Sequence, residues 1–396
     1  MGKVSSGLGS GTTRHMKVLY LINGLGTGKG GHFHSLNHIS REIAKLNQVK
    51  IIVLGPVRSE IIEENPFFYR RIRFNGLNMW SVKNELDSFF NFFKPDIIHC
   101  FDVSVYNIAK LLVNGNKYKF VLNKCGGSNP PYFPYVENLI LFSKENMKWF
   151  DNQNKKYAKN IYLIPNRVRA VNIKSVKDVE KNESLFNFVR IARIGNSYKK
   201  SIRDSIKLVK ELSRFRSKIK LYIIGSVEEE SVLVELKEYA ENANVVFLTD
   251  DKYTKEASQM LYLADAVIGT GRGLMEAASL ALPVLTPASN SNYPILINKD
   301  NFDSFFETNF SPRNIVTDEV NNKNLSSIIK LIDNIDYRNK QSKYSLNLFL
   351  EKFDVKQVST KYQNVYNIAI MNSYNVPFWK NIIMKLKILR VYFINS

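Results

Sequence analysis

Two glycine-rich loops stand where a buried strand gives way to a helix, and both are suited to binding a phosphate. The first runs from Gly24 to Gly31 after the apolar run VLYLI, and the second is GTGRG at 269–273, followed by Leu274 and Glu276. Glycine lets the backbone approach a ligand closely, and the first turn of a helix presents free N–H groups to anionic oxygens. The first loop lacks the Gly-Lys-Ser/Thr ending of a P-loop, and its alternative interpretation is a turn with no ligand.

Charged side chains lie next to the strands and loops of the second half. Arg193 closes an apolar run, and Lys199 lies six residues later at the start of a predicted helix. With helix N-terminal amides, the pair can clamp a diphosphate without a metal; a solvated basic turn explains the spacing equally well. Glu276 is expected in the first turn of its helix. There its carboxylate can accept both hydroxyls of a ribose, or merely complement the helix dipole.

Histidines are concentrated in the first half of the chain, at positions 32, 34, 38 and 99. None belongs to a His/Cys/carboxylate set with metal-ligand spacing, so no metal is expected. His34 begins a helix at the first glycine loop and is a candidate for a cleft, whereas His38 is expected to be packed or at the surface. His99 ends a strand, where a hydrogen bond in the core and a role in a cleft are both consistent with its position. For a lone histidine the structural role is the commoner one.

Short apolar runs alternate with helical periodicity along the whole chain. In the first half these runs are 18–22, 51–54, 96–100, 119–122, 139–142 and 161–164. A charged stretch at 169–184 follows, and the rhythm restarts with 188–192, 221–224, 245–248, 266–268 and 283–285. This alternation predicts two doubly wound α/β domains, each with a parallel sheet covered on both faces, and ligand bound at the carboxyl ends of the strands.

Length and composition agree with two globular domains. The 396 residues are 44% hydrophobic and 23% charged, and no apolar run is long enough to span a bilayer. Two cysteines cannot form a disulfide framework, which indicates a cytosolic protein. We expect a disordered leader at 1–15, domains at 16–170 and 171–345, and a crossover helix with a tail at 346–396. The net charge of +20 points to nucleic acid, an anionic membrane or a phosphorylated substrate.

Taken together and in order, these segments resemble the retaining glycosyltransferases of the GT-B type, group 1 or family 4-like, from Met16 to about Tyr366. The matching segments are the Gly30-Gly31 loop, KPDIIHCFD (94–102), IPN (164–166), the Arg193 and Lys199 pair, GTGRGLMEAASLALPVL (269–285) and FDVKQVSTKYQNVY (353–366). The family often has two glutamates eight positions apart, and here only Glu276 is present, with Arg272 at the tip of a shortened loop. Cys125 stands where a histidine is common.

The resemblance implies two Rossmann-like domains that face a central cleft, with a C-terminal helix crossing back to the first domain. It implies transfer of a sugar from a nucleotide-diphosphate donor, UDP-linked, to a glycan or lipid-linked acceptor with retention, as in bacterial surface polysaccharide synthesis, with no cofactor or metal. The catalytic residues would be Arg193, Lys199 and Glu276. Donor contacts would be Gly30, Gly31, Gly271, Arg272, Gly273 and Leu274, and candidate acceptor or sugar contacts would be His34, His99, Cys125, Gly126 and Asn166.

The basic C-terminal tail is a candidate membrane contact, which would account for part of the net positive charge. Residues 371–396 contain no acid, and from Phe378 onward apolar side chains share one helical face while basic ones lie mostly opposite. This pattern is typical of an interfacial helix on anionic lipid, so we expect 377–396 to reach the inner face of the cytoplasmic membrane; a solvated basic helix is the alternative. No nucleic-acid-binding pattern is present. The competing functions are a GT-B nucleotide-sugar epimerase and a non-catalytic basic protein that binds nucleic acid or membrane.

Overall fold

The first sheet belongs to the N-terminal half. A computed structural model describes residues 15–25, 28, 30–113, 117–174, 179–215, 218–372, 382 and 386. Seven parallel strands are arranged in the order β3-β2-β1-β4-β5-β6-β7. Their bounds are β1 Lys17–Asn23, β2 Gln48–Leu54, β3 Phe68–Ile72, β4 Ile97–Cys100, β5 Lys119–Lys124, β6 Val136–Leu141 and β7 Ala158–Leu163. The carboxyl ends of these strands therefore lie along one edge of the domain.

Five helices cover both faces of this sheet. They are α1 Gly31–Ile43, α2 Glu60–Glu63, α3 Met79–Phe93, α4 Val103–Leu112 and α5 Lys144–Asp151. Helix α1 buries Phe33, Leu36, Ile39 and Ile43, the helical spacing that makes one apolar face. Asp102 caps α4 by accepting the Val105 N–H at 2.8 Å, and it also accepts the Asn23 N–H at 2.8 Å. One carboxylate thus joins the end of β1 to the start of α4.

The second sheet has six strands in the order β10-β9-β8-β11-β12-β13, parallel except where β13 pairs with β12. Their bounds are β8 Phe186–Ile191, β9 Ile219–Ile224, β10 Val245–Leu248, β11 Ala266–Ile268, β12 Val284–Thr286 and β13 Ile295–Leu296. The helices are α6 Asn196–Ser213, α7 Glu230–Tyr239, α8 Asp251–Thr254, α9 Gly271–Ser279, α10 Phe302–Glu307, α11 Asp318–Asp333, α12 Ile335–Leu348 and α13 Ser359–Met371. Both halves are therefore doubly wound α/β domains, as the sequence predicts.

Every strand predicted from an apolar run lies on an observed strand, and β3 and β13 are additional. The segment FYRRI of β3 contains two arginines and its strand is largely exposed, because it is the edge of the sheet. Only two residues make up β13, which is too short for a periodic signal. The predicted leader, apart from His15, and most of the tail lie outside the described residues.

Helix α13 leaves the second domain and packs on the first. Its side chains Tyr362, Val365, Tyr366 and Ala369 are buried in one cluster with Val18 and Tyr20 of β1 and with α1. The Tyr366 hydroxyl lies 2.9 Å from that of Tyr20. The C-terminal helix therefore crosses back to the first domain, as expected.

Ion pairs join the two domains on either side of the cleft between them. On one side Lys148 lies 2.9 Å from Glu307, and Arg313 lies 2.7 Å from Glu145. On the other side Lys255 lies 3.2 Å from Glu60. The loops at the carboxyl edges of both sheets face the space between these contacts.

Candidate functional site

The first glycine loop brings the N-terminus of α1 to the cleft. Gly24 packs so closely that a Cβ there would lie 2.5 Å from the carbonyl oxygen of Val57. At the other end of the loop a Cβ at Gly31 would meet no atom within 4 Å. Gly30 caps α1 without a side-chain hydrogen bond, and the first turn contains no acid. The first N–H groups of α1 are thus available to an anion.

The second glycine loop gives α9 the same kind of open start. Helix α9 begins at Gly271, which has a φ of +47°, and Thr270 before it makes no side-chain cap. A Cβ at Gly273 would meet no atom within 4 Å, whereas one at Gly269 would lie 2.9 Å from the Leu274 nitrogen. Gly269 therefore serves packing, and Gly273 leaves room for a ligand. Leu274 is buried against the second core.

Glu276 lies in the second turn of α9, so the expectation of a first-turn position was wrong. The helix begins five residues earlier because the loop glycines enter it instead of forming a separate turn. The carboxylate is buried, and one oxygen accepts a hydrogen bond from Arg272 Nη1 at 2.8 Å. Burial raises the pKa of Glu276, while the Arg272 charge opposes that rise. Glu276 therefore does not complement the helix dipole, and it forms an ion pair with Arg272 at the cleft.

Arg272 faces histidines of the first domain across the cleft. Burial, with the Arg272 charge next in importance, lowers the pKa of His34 to about 3 and that of His38 to about 3. The Arg169 N–H donates to His38 Nδ1 at 3.4 Å, and Arg169 also lowers the pKa of His38. Both imidazoles are therefore neutral near pH 7. The start of α9 therefore lies close to the first two turns of α1.

Arg193 and Lys199 lie at the carboxyl edge of the second sheet, and each is paired with a glutamate of its own domain. Arg193 Nη1 donates to Glu228 Oε1 at 2.5 Å, and the Arg193 guanidinium lies 5.2 Å from the centroid of the Tyr198 ring. Lys199, in the first turn of α6, is paired with Glu235. Ion pairs this exposed are worth only about 0–1 kcal/mol, so a diphosphate can replace the glutamates.

His99 is a core residue, which corrects its candidacy as a cleft contact. Its side chain has no exposed surface, and Nδ1 lies 2.8 Å from the Tyr366 hydroxyl of α13. The rings of Tyr20, Phe101 and Tyr362 surround it. Burial lowers the pKa of His99 to about 3. Of its two interpretations, the hydrogen bond in the core is the one observed.

Asn166 is also mainly structural. It is buried, and its Oδ1 accepts hydrogen bonds from Ser35 Oγ at 2.9 Å and from the Arg167 N–H at 3.0 Å. The Ser35 hydroxyl belongs to α1. The residue therefore ties the chain after β7 to the helix that follows the first glycine loop, and reaches the cleft only through that helix.

Cys125 and Gly126 follow β5 at the cleft edge. Cys125 Sγ donates to the Phe101 carbonyl at 3.4 Å, and burial raises the pKa of its thiol to about 12. The thiol is thus protonated and unsuited to nucleophilic attack. Gly126 has a φ of +81°, and a Cβ there would meet no atom within 4 Å. This loop offers backbone rather than side-chain contacts to a ligand.

A match to a known family covers the second domain. Residues 173–347 match the family model described as "Glycosyl transferases group 1". The C-terminal domain is therefore similar to the group 1 glycosyltransferases. The matched range contains Arg193, Lys199, Arg272 and Glu276. No curated protein has a sequence with significant similarity to this chain.

Solved structures share the fold of this chain over most of its length. A glycosyltransferase from Rickettsia africae is 14% identical with a TM-score of 0.63, and 91% of this chain and 100% of that chain are covered. Anabaena HepE, in complex with UDP and glucose, is 13% identical with a TM-score of 0.59, covering 89% and 100%. A putative UDP-N-acetylglucosamine 2-epimerase from Listeria monocytogenes is 11% identical with a TM-score of 0.54, covering 92% and 100%. The fold is therefore GT-B.

Sequence reasoning missed several polar residues at the cleft. Glu228 and Glu235 neutralise the basic pair, and the only signal was the acidic run EEES at 228–231. Lys124 is buried beside Cys125 and donates to the Gly126 carbonyl at 2.5 Å and to Asn146 Oδ1 at 3.1 Å. Burial lowers the pKa of Lys124 to about 8. In the sequence, the position of Lys124 shortly before two glycines gave no sign that its side chain holds this loop.

Neither a metal cluster nor a membrane-spanning helix is found in the described residues. Within those ranges, no group of three or more His, Cys, Asp or Glu side chains lies close enough together to hold a metal ion. Among the helices in the same part of the chain, none combines the length and apolarity that crossing a bilayer requires.

Proposed function

We propose that this glycosyltransferase transfers a sugar from a nucleotide-diphosphate donor to a glycan or lipid-linked acceptor, with retention of the anomeric configuration. The observation that carries the proposal is that two open helix N-termini, those of α1 and α9, lie near each other: the charge of Arg272 in α9 acts on His34 and His38 of α1. The free N–H groups of a helix N-terminus stabilise an anionic group. UDP is the proposed nucleotide because HepE, with the same fold, is known in complex with UDP and glucose.

The donor diphosphate would bind between these helix ends and the basic pair. As the sugar leaves, negative charge grows on the diphosphate. Arg193 and Lys199 would stabilise this charge by pairing with the diphosphate instead of with Glu228 and Glu235. Stabilising a developing charge commonly lowers the barrier more than any other catalytic effect, by about 3–4 kcal/mol for one donor. The Glu276 carboxylate, already held by Arg272, would accept the ribose hydroxyls. On this proposal, neither a metal nor a cofactor takes part.

Retention is proposed because none of the candidate residues is suited to act as a base. His99 is enclosed in the core, Cys125 is protonated, and Glu276 is engaged by Arg272. The pKa of His34 is lowered to about 3, so its imidazole is a weak base. We propose that the leaving phosphate accepts the proton of the acceptor hydroxyl on the face from which it departs. The new bond then forms on that same face, and the configuration is kept.

Nucleotide binding and product analysis test the donor proposal. Thermal shift with UDP, GDP and CDP should show stabilisation by one of them, because a ligand that binds the native state raises the melting temperature. The sugar of the matching donor should then appear on an acceptor with unchanged anomeric configuration by NMR. Inverted product contradicts retention, and an isomerised sugar formed without acceptor favours the epimerase. Stabilisation by DNA or RNA alone favours the non-catalytic protein.

The acceptor side of the proposal concerns the first domain. Leu77 and Trp80 are 70% and 77% exposed at the start of α3, and Arg70 and Arg73, a few residues earlier in the chain, are exposed as well. Exposed tryptophan next to basic side chains suits the surface of an anionic bilayer. We propose a role in surface polysaccharide synthesis on the cytoplasmic face of the membrane, with 377–396 as a second contact.

Co-sedimentation with phosphatidylglycerol vesicles tests the membrane contact. Deletion of 377–396 and the double change of Leu77 and Trp80 to Ser should each reduce binding, and the combination should abolish it. Ile315→Ser is the matched control, since Ile315 is 71% exposed on the second domain. Undiminished binding by the combined variant excludes the membrane role.

A further inference from the structure

Arg190 is an arginine enclosed in the core of the second domain. It is the fifth residue of β8, has no exposed surface, and is the largest fully buried side chain among the described residues. No carboxylate in that part of the chain forms an ion pair with it, and Nε has no hydrogen-bond partner. Asp204, whose charge acts on it, is paired with Lys200 at 2.7 Å. Burying a charge without a partner is costly, so this arginine calls for an explanation.

The two outer nitrogens of Arg190 contact two segments of the candidate donor site, the end of β11 before the α9 glycine loop and the helix α6. Nη1 donates to the carbonyl of Ile268 at 3.2 Å, immediately before the glycine loop that begins α9. Nη2 donates to Ser201 Oγ at 2.9 Å, inside α6. One guanidinium therefore joins the end of β11 to α6, although the two segments are far apart in the sequence.

The bond to Ser201 continues to the basic pair. Ser201 Oγ donates in turn to the Tyr198 carbonyl at 2.9 Å. The ring of Tyr198 lies under Arg193, and Lys199 is the next residue in the chain. Arg190 is thus linked through Ser201 to the first turn of α6. Lys199 belongs to that turn, and Arg193 follows the end of β8.

We propose that Arg190 is a positioning residue that sets the spacing between the basic pair and the α9 glycine loop, and that its buried charge strengthens donor binding. The inference rests on the proposed function, since both loops are taken to hold the donor diphosphate. A buried cation without a counter-ion is stabilised when an anion binds nearby, and by linkage it raises the affinity for that anion by the same factor.

Arg190→Met tests the proposal, because methionine fills the space without charge or N–H donors. Arg338→Met is the matched control: Arg338 of the same domain also donates to backbone carbonyls, those of Leu331 and Ile332. With UDP and its sugars as probes, we expect Arg190→Met to raise the donor KM about tenfold, with the acceptor KM unchanged. Arg190→Lys should recover part of that loss, and the control should match wild type. A donor KM within twofold of wild type overturns the proposal.

Hydrogen exchange gives a readout that is independent of nucleotide binding. Amides of 196–199 and 269–273 should exchange faster in Arg190→Met than in the Arg338→Met control, and unchanged exchange in both segments overturns the positioning role. If Arg190→Met does not fold, Ser201→Ala replaces it and should raise both the donor KM and exchange at 196–199. If wild type binds no nucleotide, the proposed function fails, while the exchange data still decide the role of Arg190.

Discussion

The N-termini of α1 and α9 differ from that of α6, although all three follow a strand of a doubly wound domain at the same cleft. No side chain caps α1 or α9. At α6, Glu229 accepts the Asn196 N–H at 2.9 Å, and Glu228 and Glu235 pair with the neighbouring cations. The first two ends are open to an anion, whereas the third already contacts anions of the protein. Ligand binding at α6 therefore requires an exchange of partners.

The largest expected effect comes from removing the cations of the α6 region. Arg193→Ala and Lys199→Ala should each reduce kcat by about 100-fold or more, because each deletes a group that stabilises the leaving diphosphate. Steady-state kinetics measure the loss, and unchanged melting temperatures show that the fold is intact. Near wild-type turnover in both variants would mean that the open ends of α1 and α9 suffice.

The second effect is the pH dependence of stability that comes from His99, a histidine of the core and not of the cleft. The pKa of His99 is about 3, against an ordinary value of 6.5. Because the folded value is depressed, the stability contributed by neutral His99 is present above pH 6.5 and is lost as the pH falls from 6.5 toward 3. Between pH 7 and pH 5 the loss is about 2 kcal/mol.

Urea unfolding of wild type and His99→Phe at pH 7 and pH 5 measures this contribution. The variant should lose less stability than wild type over the same interval. Equal losses in the two proteins would show that His99 does not carry the pH dependence.

A third effect compares two glycines of one loop. Gly273→Ala places a methyl group in open space within α9. The free energy of unfolding should rise by about 0.5–1 kcal/mol, because alanine favours a helix more than glycine does, while the donor KM rises about tenfold as the methyl group obstructs the diphosphate. Gly269→Ala meets the Leu274 nitrogen and should lower the free energy of unfolding by about 1–3 kcal/mol. Thermal melting and donor kinetics on both variants separate the two roles. If Gly269→Ala raised the donor KM and Gly273→Ala lowered stability, the ligand would lie on the Gly269 side of the loop.

The smallest effect tests the exchange of partners directly. Glu228→Gln removes the charge that competes for Arg193, so the donor KM should fall by about threefold, in keeping with the low energy of exposed ion pairs. Glu145→Gln is a control, because its partner Arg313 lies at the domain junction. A donor KM that rises in Glu228→Gln would show that the glutamate holds Arg193 in place for the substrate.

Local patterns in the sequence were enough for most of the architecture. Apolar runs located the central strands, since a strand buried on both faces must be apolar along its length. The glycine loops were located because runs of glycine follow an apolar run and precede a helical periodicity. The same logic missed β3, because an exposed edge strand has no need of an apolar run, and it displaced Glu276 by one turn, because glycine can begin a helix as well as precede it.

The sequence by itself determined two α/β domains, a glycine loop between strand and helix in each, and a basic pair after the first strand of the second domain. Only the tertiary structure decided which charges are compensated. Whether His99 is enclosed, whether Glu228 reaches Arg193, and whether Arg190 lies under two loops depend on contacts between segments far apart in the chain. Burial and pairing are set by those contacts, and they, rather than residue type, fix how a polar side chain behaves.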